Sequence, residues 1–297
     1  MDYTALYPFT VQCSRCDRAW SFSEDELQSV DLTCQDPDCG YTFNVYEGLK
    51  TGLKTVDGIF GNTFLANGMH NLMIDVKIGF TTYFKLPQST MKVYDVMLIP
   101  VRDSFKAGVV DITTDGFLIY TSLEESGDTT LFGKTTPLYV IVKSKIIDYD
   151  YDLPWLHLLQ YSLDQFIQKN YLTCILLSEI TFENFLDTML RHRYINIGLD
   201  EDTVGRILVS TNLPNKVNPL FYNMYGIKLS DSPYWKKWEK KVLKWRNDIA
   251  HGAKTSATED EARFAYETII DSMFYLIEGI DNYLRANGEP RGLFYKI

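Results

Sequence analysis

The middle of the chain has the apolar pattern of β-strands. Between residues 70 and 80 every second residue is apolar and falls on one face of an extended chain, namely Leu72, Ile74, Val76, Ile78 and Phe80. Four more short runs are rich in β-branched and aromatic residues, at positions 93–101, 108–112, 117–123 and 138–146. Turn pairs punctuate this region, at Asp57-Gly58, Asn67-Gly68 and Asp115-Gly116. We therefore predict an antiparallel β domain, a sandwich or a barrel, over residues 47–152.

From residue 153 onward, apolar residues recur at intervals of three and four, which indicates helices. Two long helices are marked first by Leu156, Leu159, Leu163 and Phe166, and then by Ile175, Phe182, Phe185, Leu186, Met189 and Leu190. A shorter helix follows Asp200. The next has Ser232 as N-cap, Pro233 at its first position and an apolar stripe of Trp235, Trp238, Val242, Trp245 and Ile249. The last begins with a capping box, either Ser256 with Glu259 or Thr258 with Glu261.

Four of the five cysteines lie in two close pairs near the start of the chain. Cys13 and Cys16 are spaced C-x2-C, and Cys34 and Cys39 are spaced C-x4-C. Four thiolates in two such pairs can close a tetrahedron around a structural Zn²⁺ ion. The alternatives are two disulfides or free thiols, but disulfides need an oxidising compartment and nothing in the sequence indicates export. The fifth, Cys174, lies in an apolar run and is predicted to be a core residue.

Together these patterns predict a multidomain α+β protein. A zinc ribbon occupies residues 1–46, the antiparallel β domain residues 47–152, and an all-α helical bundle residues 153–297. The chain of 297 residues is long enough for two or three domains. It has neither a secretory signal nor an apolar stretch of membrane-spanning length, so we expect a cytoplasmic protein without a membrane partner.

The net charge of −10 is unevenly distributed. Between Ser232 and Lys254 there are seven basic and two acidic residues, so this segment carries +5 and the remainder −15. Such a strip can attract a phosphate backbone, although a solvated helix face has the same composition. The candidate RNA-binding residues are Lys236, Lys237, Lys240, Lys241 and Lys244.

Within the basic segment, Arg246 and His251 are separated by four residues. Histidine can transfer a proton near neutral pH. Arginine is a fixed cation whose planar fork suits phosphate oxygens. On a helix with Trp245 and Ile249 facing the core, Asn247 and His251 share an outer flank and Arg246 can reach it. The simpler interpretations are a surface ion pair of Arg246 with Asp248 or Glu239, and a helix C-cap role for His251.

The string Trp245-Arg246-Asn247-Asp248-Ile249-Ala250-His251-Gly252 resembles the R-x(4–6)-H signature of HEPN domains. The stretch Ser178-Glu179-Ile180-Thr181-Phe182-Glu183 also resembles the acidic and aromatic helix of many members, and the resemblance covers about half of the chain, residues 153–285. It implies a metal-independent endoribonuclease that works as a homodimer and leaves a cyclic phosphate.

The resemblance also implies a biological role as a phage-defence or toxin effector, with a phage-derived trigger or an antitoxin as a further partner. Its catalytic candidates are Arg246, His251 and Asn247, with Glu179 and Glu183 either orienting Arg246 or His251 or lying on the surface as plain charges. The alternative is a non-catalytic HEPN module that binds nucleic acid or protein, or dimerises, beside a structural zinc ribbon.

Overall fold

The chain forms two compact units. The structure, a computed structural model, describes residues 10–21, 31–54, 68–86, 92–101, 105–113, 115–124, 128–145 and 154–289. One unit combines residues 1–62 with residues 151–297, and the other comprises residues 63–150. The architecture is mixed, with antiparallel sheets in the N-terminal half and helices in the C-terminal half.

Unit 63–150 contains two three-stranded antiparallel sheets with the strand orders β5-β10-β7 and β6-β9-β8. Their strands are β5 (Gly68–Lys77), β6 (Thr81–Lys85), β7 (Lys92–Pro100), β8 (Phe105–Ile112), β9 (Gly116–Leu123) and β10 (Thr135–Lys145). In the first sheet Leu138 pairs with Ile74 and Pro100. One core takes side chains from both sheets, including Val76, Val96, Phe117, Ile119, Leu138 and Val140. This confirms the predicted antiparallel β region.

The predicted alternating run ends earlier than its pattern suggested. Strand β5 stops at Lys77, and Gly79 adopts a φ of +90° in the turn to β6. Phe80 therefore lies beyond the turn and is 41 % exposed instead of continuing the core face. The turn pair Asp57-Gly58 and residue Asn67 lie outside the described residues.

In residues 10–21 and 31–54 the structure shows two short hairpins and a helix. The elements are β1 (Thr10–Gln12), β2 (Ala19–Ser21), β3 (Asp31–Thr33), β4 (Thr42–Asn44) and α1 (Val45–Lys54). Strand β1 pairs with β2 and β3 with β4, both antiparallel. The predicted boundary after residue 46 is wrong, because α1 crosses it: Val45, Leu49 and Leu53 recur every four residues and are buried.

Helix α1 connects the hairpins to the C-terminal helices of the same unit. The buried Tyr266 hydroxyl donates to the Leu53 carbonyl at 3.2 Å, and Lys54 pairs with Asp271 at 2.5 Å. Lys50 adds a longer ion pair with the same carboxylate at 3.7 Å. The predicted separate domain of residues 1–46 is therefore part of the same compact unit as the helices.

The C-terminal half is helical, as predicted. Its elements are α2 (Pro154–Ile167), α3 (Tyr171–Asn196), α4 (Glu201–Ser210), α5 (Leu213–Asn215, Lys216–Leu220 and Phe221–Tyr225), α6 (Trp235–Lys237, Trp238–Val242 and Leu243–Ala250) and α7 (Glu259–Ala286). The middle parts of α5 and α6 are π-helical. Asp200 caps α4, and Thr258 with Glu261 forms the capping box of α7. None of the helices in the described residues is apolar over a length that could cross a bilayer.

Aromatic side chains form the centre of the helical core. The rings of Phe185 and Trp155 meet edge to face at 5.6 Å, as do those of Phe182 and Trp238. Cys174 is fully buried, as predicted. Helix α6 begins at Trp235 and not directly after Ser232, whose Oγ accepts the Tyr234 N–H at 3.1 Å. Of its predicted apolar stripe, Trp238 and Val242 are fully buried, whereas Trp235, Trp245 and Ile249 are half-buried.

Candidate functional site

The arginine–histidine motif lies at the C-terminal end of α6. The Gly252 N–H donates to the Ile249 carbonyl at 3.0 Å, and the Ala253 N–H donates to the Asp248 carbonyl at 2.7 Å. This Schellman arrangement needs a left-handed residue after the helix, and Gly252 supplies it with a φ of +73°. His251 is thereby fixed as the last residue before the chain turns away.

The motif side chains are accessible to solvent. His251 and Asn247 are exposed, and Arg246 is partly exposed. The Arg246 Nη1 donates to the Asn247 Oδ1 at 3.1 Å, and the His251 backbone N–H donates to the Asn247 carbonyl at 3.0 Å. Within the described part of the chain, the His251 ring has no hydrogen-bond partner. A fixed cation and a free imidazole are therefore available on one helix end.

Three carboxyl groups lie in a row on the face of α3 that contacts α5 and α6. Glu179, Glu183 and Asp187 are spaced by four residues, which places them on the same side of a helix. Glu179 is fully buried, and both its oxygens accept the Trp238 indole N–H, at 3.2 and 3.1 Å. Burial raises the pKa of Glu179 to about 8, although the indole N–H and the nearby Arg246 charge oppose the shift.

The other two carboxylates contact basic side chains. The Glu183 Oε2 lies 4.0 Å from the Arg246 Nη2, and its Oε1 lies 3.7 Å from the Lys216 Nζ. Lys216 is buried and pairs closely with Asp187 at 2.6 Å. Burial raises the pKa of Asp187, and the contact with Lys216 opposes the rise.

The contacts of the two glutamates differ. Glu183 contacts Arg246, in agreement with an orienting role. Glu179 contacts neither Arg246 nor His251 through a hydrogen bond, and its burial prevents it from touching a substrate at the surface. Glu179 instead joins α3 to α6 through Trp238, and its predicted catalytic role stays a prediction that no hydrogen bond among the described residues supports.

The five candidate RNA-binding lysines of α6 are all exposed: Lys236, Lys237, Lys240, Lys241 and Lys244. Some of them, Lys244 and Lys241 among them, interact with neighbouring groups of the protein. Lys244 forms an ion pair with Asp248, and the Lys241 ammonium lies 4.7 Å from the centre of the Phe264 ring. Both interactions occur at the surface and are weak enough for a phosphate to replace.

The structure brings the four N-terminal cysteines together. The sulfur atoms of Cys13, Cys16, Cys34 and Cys39 all lie within 4.8 Å of one another, and none is in a disulfide. Two of the separations are 3.9 Å, between Cys13 and Cys39, and 3.5 Å, between Cys16 and Cys34. A tetrahedral ion with metal–sulfur bonds of ~2.3 Å requires sulfur separations of ~3.8 Å, so the cluster fits a metal ion.

In both hairpins, the backbone N–H two residues after the first cysteine of the pair points to the sulfur of that cysteine. The Arg15 N–H points to the Cys13 sulfur at 3.4 Å, and the Asp36 N–H points to the Cys34 sulfur at 3.5 Å. Such N–H groups stabilise thiolates, and the left-handed Gly40, with a φ of +53°, turns the chain after the second pair.

Comparison with known proteins finds no counterpart: no family model, curated protein or solved structure matches the chain. We therefore infer function from the residues themselves.

Sequence reasoning missed three members of the site. Trp238 was assigned to the core without its hydrogen bond to Glu179, and neither Lys216 nor Asp187 was singled out. The four-residue spacing of Glu179, Glu183 and Asp187 was a usable signal, because a carboxylate row that packs against other helices needs donors and cations opposite it. No local pattern identifies Lys216 as its partner, since the two segments are distant in sequence.

Proposed function

We propose that this protein is an endoribonuclease whose catalytic residues are Arg246 and His251. The observation that carries the proposal is the solvent access of both Arg246 and His251 at the end of α6, a helix that contacts α3 through the buried hydrogen bond of Trp238 with Glu179. The helix presents a cation and an imidazole, and among the described residues no side chain competes for the ring. The resemblance of this string to the HEPN signature supports the same assignment.

The reaction that suits these groups is an internal transfer at phosphorus. His251 takes the proton from a ribose 2′-hydroxyl, and the 2′-oxygen attacks the adjacent phosphorus. Arg246 stabilises the negative charge that develops on the non-bridging oxygens. The bond from phosphorus to the 5′-oxygen breaks, that oxygen takes a proton, and the products carry a 2′,3′-cyclic phosphate and a 5′-hydroxyl. Asn247 steadies the guanidinium through its Oδ1.

The site is completed by a second copy of the chain. One α6 end supplies a single imidazole, whereas the reaction needs one group to take a proton and another to give one. A two-fold contact places the same residues of a second copy opposite the first. Ultracentrifugation combined with activity measurements over a concentration range should show that cleavage follows the dimer. A fully active monomer would contradict the composite site.

The four cysteines hold Zn²⁺ in this proposal. Thiolates are soft ligands that select zinc over the hard cations, and four protein ligands leave no position for substrate. The ion therefore supports the fold of the hairpins and takes no part in the cleavage.

The chemistry of the products tests the proposed reaction. Wild-type protein should cleave single-stranded RNA and spare a DNA of the same sequence, since DNA lacks the 2′-hydroxyl. Mass spectrometry of the fragments should find 2′,3′-cyclic phosphate ends, and replacing the ribose at a cleaved position by deoxyribose should block cleavage there. Fragments with 5′-phosphate ends would show that a different reaction occurs. Binding of RNA without cleavage would favour the alternative of a non-catalytic module.

A further inference from the structure

Two π-helical segments border the carboxylate row of α3, and each begins with a residue that contacts it. The π-helical part of α6 begins with Trp238, which donates to Glu179. The π-helical part of α5 begins with Lys216, which pairs with Glu183 and Asp187. π-Helical turns are often retained at functional sites, because they aim a side chain that a regular helix would point elsewhere.

Lys216 is an unusual member of this group because its charge is buried. Its residue surface is only 2 % exposed, yet Arg246 and Glu183 at the outer end of the same network are about two-fifths exposed. A buried ammonium is costly unless carboxylates compensate it, and Asp187 at 2.6 Å provides most of that compensation. Lys216 also contacts Glu183, at 3.7 Å. Because Asp187 already compensates the buried charge, this second contact can serve to hold the Glu183 carboxylate in place.

Glu183 is shared between two cations. Its Oε1 faces Lys216 at 3.7 Å and its Oε2 faces Arg246 at 4.0 Å. A carboxylate that a second cation holds in place can orient Arg246 without closing a tight, bidentate pair with it. The guanidinium then keeps donors and charge available for a phosphate.

We propose that Lys216 is a positioning residue that acts on Arg246 through Glu183. This inference rests on the proposed ribonuclease function, in which Arg246 contacts the reacting phosphate. Without the Lys216 ammonium, Arg246 is the cation nearest to Glu183, and the two close into an ion pair that withdraws the guanidinium from the substrate. Neutralising Glu183 in the same molecule removes that competitor and releases Arg246 again.

The test is steady-state cleavage of a single-stranded RNA by five proteins of the full chain. They are wild type, Lys216→Met, Lys216→Arg, the double variant Lys216→Met/Glu183→Gln, and Glu183→Gln alone. Lys216→Met should lower kcat by about tenfold or more, since displacing a catalytic group by ~1 Å costs up to about a hundredfold, while KM changes by less than about threefold. Lys216→Arg should retain most of the rate.

The double variant separates positioning from a purely structural role. It should match Glu183→Gln alone, which loses the orienting contact but stays faster than Lys216→Met, because in both variants Arg246 no longer has a competing carboxylate. If Lys216 only supported the fold, removing a second polar partner would make the loss worse. Lys228→Met, which alters a surface lysine paired with Asp231, is the matched control and should behave as wild type.

Asp187→Asn keeps the test decisive if Lys216→Met does not fold. It removes the close partner of Lys216 but leaves the Lys216–Glu183 contact, so kcat should stay within about threefold of wild type. Any one of three results would overturn this inference without touching the proposed function. They are a normal kcat for Lys216→Met, a double variant no faster than Lys216→Met, and a folded Asp187→Asn with a large loss of kcat. A wild type that cleaves no RNA would overturn the proposed function and this inference with it.

Discussion

Glu179 and Trp238 show how a single buried contact can join two helices. The carboxyl group lies on α3 and the indole on α6, and each would be an uncompensated polar group in the core without the other. Because burial raises the pKa of Glu179 to about 8, the neutral acid predominates in the folded protein at neutral pH. In the unfolded chain the same group ionises near its ordinary value.

This difference predicts a pH dependence of stability. The folded protein binds a proton that the unfolded chain releases above its ordinary pKa of 4.5, so the free energy of unfolding should fall as the pH rises from about 4.5 to about 8. The contribution is at most on the order of 5 kcal/mol. Denaturant titrations at several pH values in this range give the free energy of unfolding. Its decrease with rising pH should be smaller for Glu179→Gln, which keeps an acceptor for Trp238 without a charge. An identical slope in the variant would contradict a buried, neutral Glu179.

At the scale of elements, sequence periodicity predicts most of the structure. Apolar residues alternate around Ile74 and recur at intervals of three and four around Phe182. Each pattern predicts an element with one buried face, and the structure contains the expected strand and helix. Helix α1 was missed because the expectation of a β domain was extended back over its four-residue apolar repeat. The π-helical segment of α6 could not be predicted, because no local pattern marks the extra residue, whereas in the fold both Trp238 and Val242 are buried and Trp238 meets Phe182 of α3.

Deleting Lys240, an exposed residue within the π-helical segment, tests the role of that segment. A π-helical turn carries one residue more than an α-helical turn, so the shortened segment can become a regular α-helix without rotating the parts on either side of it. Trp238 and Val242 would then be three residues apart, still on one face, and we expect the deletion to lower the free energy of unfolding by no more than about 1–2 kcal/mol. Lys240→Ala, which keeps the residue count, should unfold as the wild type does. A much larger loss in the deletion variant would show that this part of α6 cannot adopt α geometry.

At the scale of the whole molecule, the cysteine hairpins and the helices form one compact unit. The cysteine spacing predicted the cluster, because four ligands of one metal ion need only two local pairs. The site of its attachment was not predictable, since α1 meets α7 through Tyr266 and Asp271, more than two hundred residues further along the chain. Loss of the proposed zinc ion should therefore affect the helical part as well as the hairpins.

Zinc analysis and thermal unfolding test this coupling. Protein purified without chelator should contain one zinc ion per chain, and Cys39→Ser should lower both zinc content and the melting temperature of the helical signal. Cys174→Ser, at a cysteine far from the cluster in sequence, should leave the zinc content unchanged. Absence of zinc from the wild type would refute the metal site, and an unchanged helical melting temperature in Cys39→Ser would refute the coupling.

The most direct test of the ribonuclease assignment is the rate at which purified protein cleaves a single-stranded RNA. The measurement compares wild type, His251→Ala and His70→Ala, a histidine of strand β5, after brief treatment with a chelator that leaves the zinc content intact. We predict that the wild type and His70→Ala cleave at equal rates, and that His251→Ala loses about a hundredfold or more while its melting temperature stays the same. Cleavage by His251→Ala at the wild-type rate, or no cleavage by the wild type, would contradict the assignment.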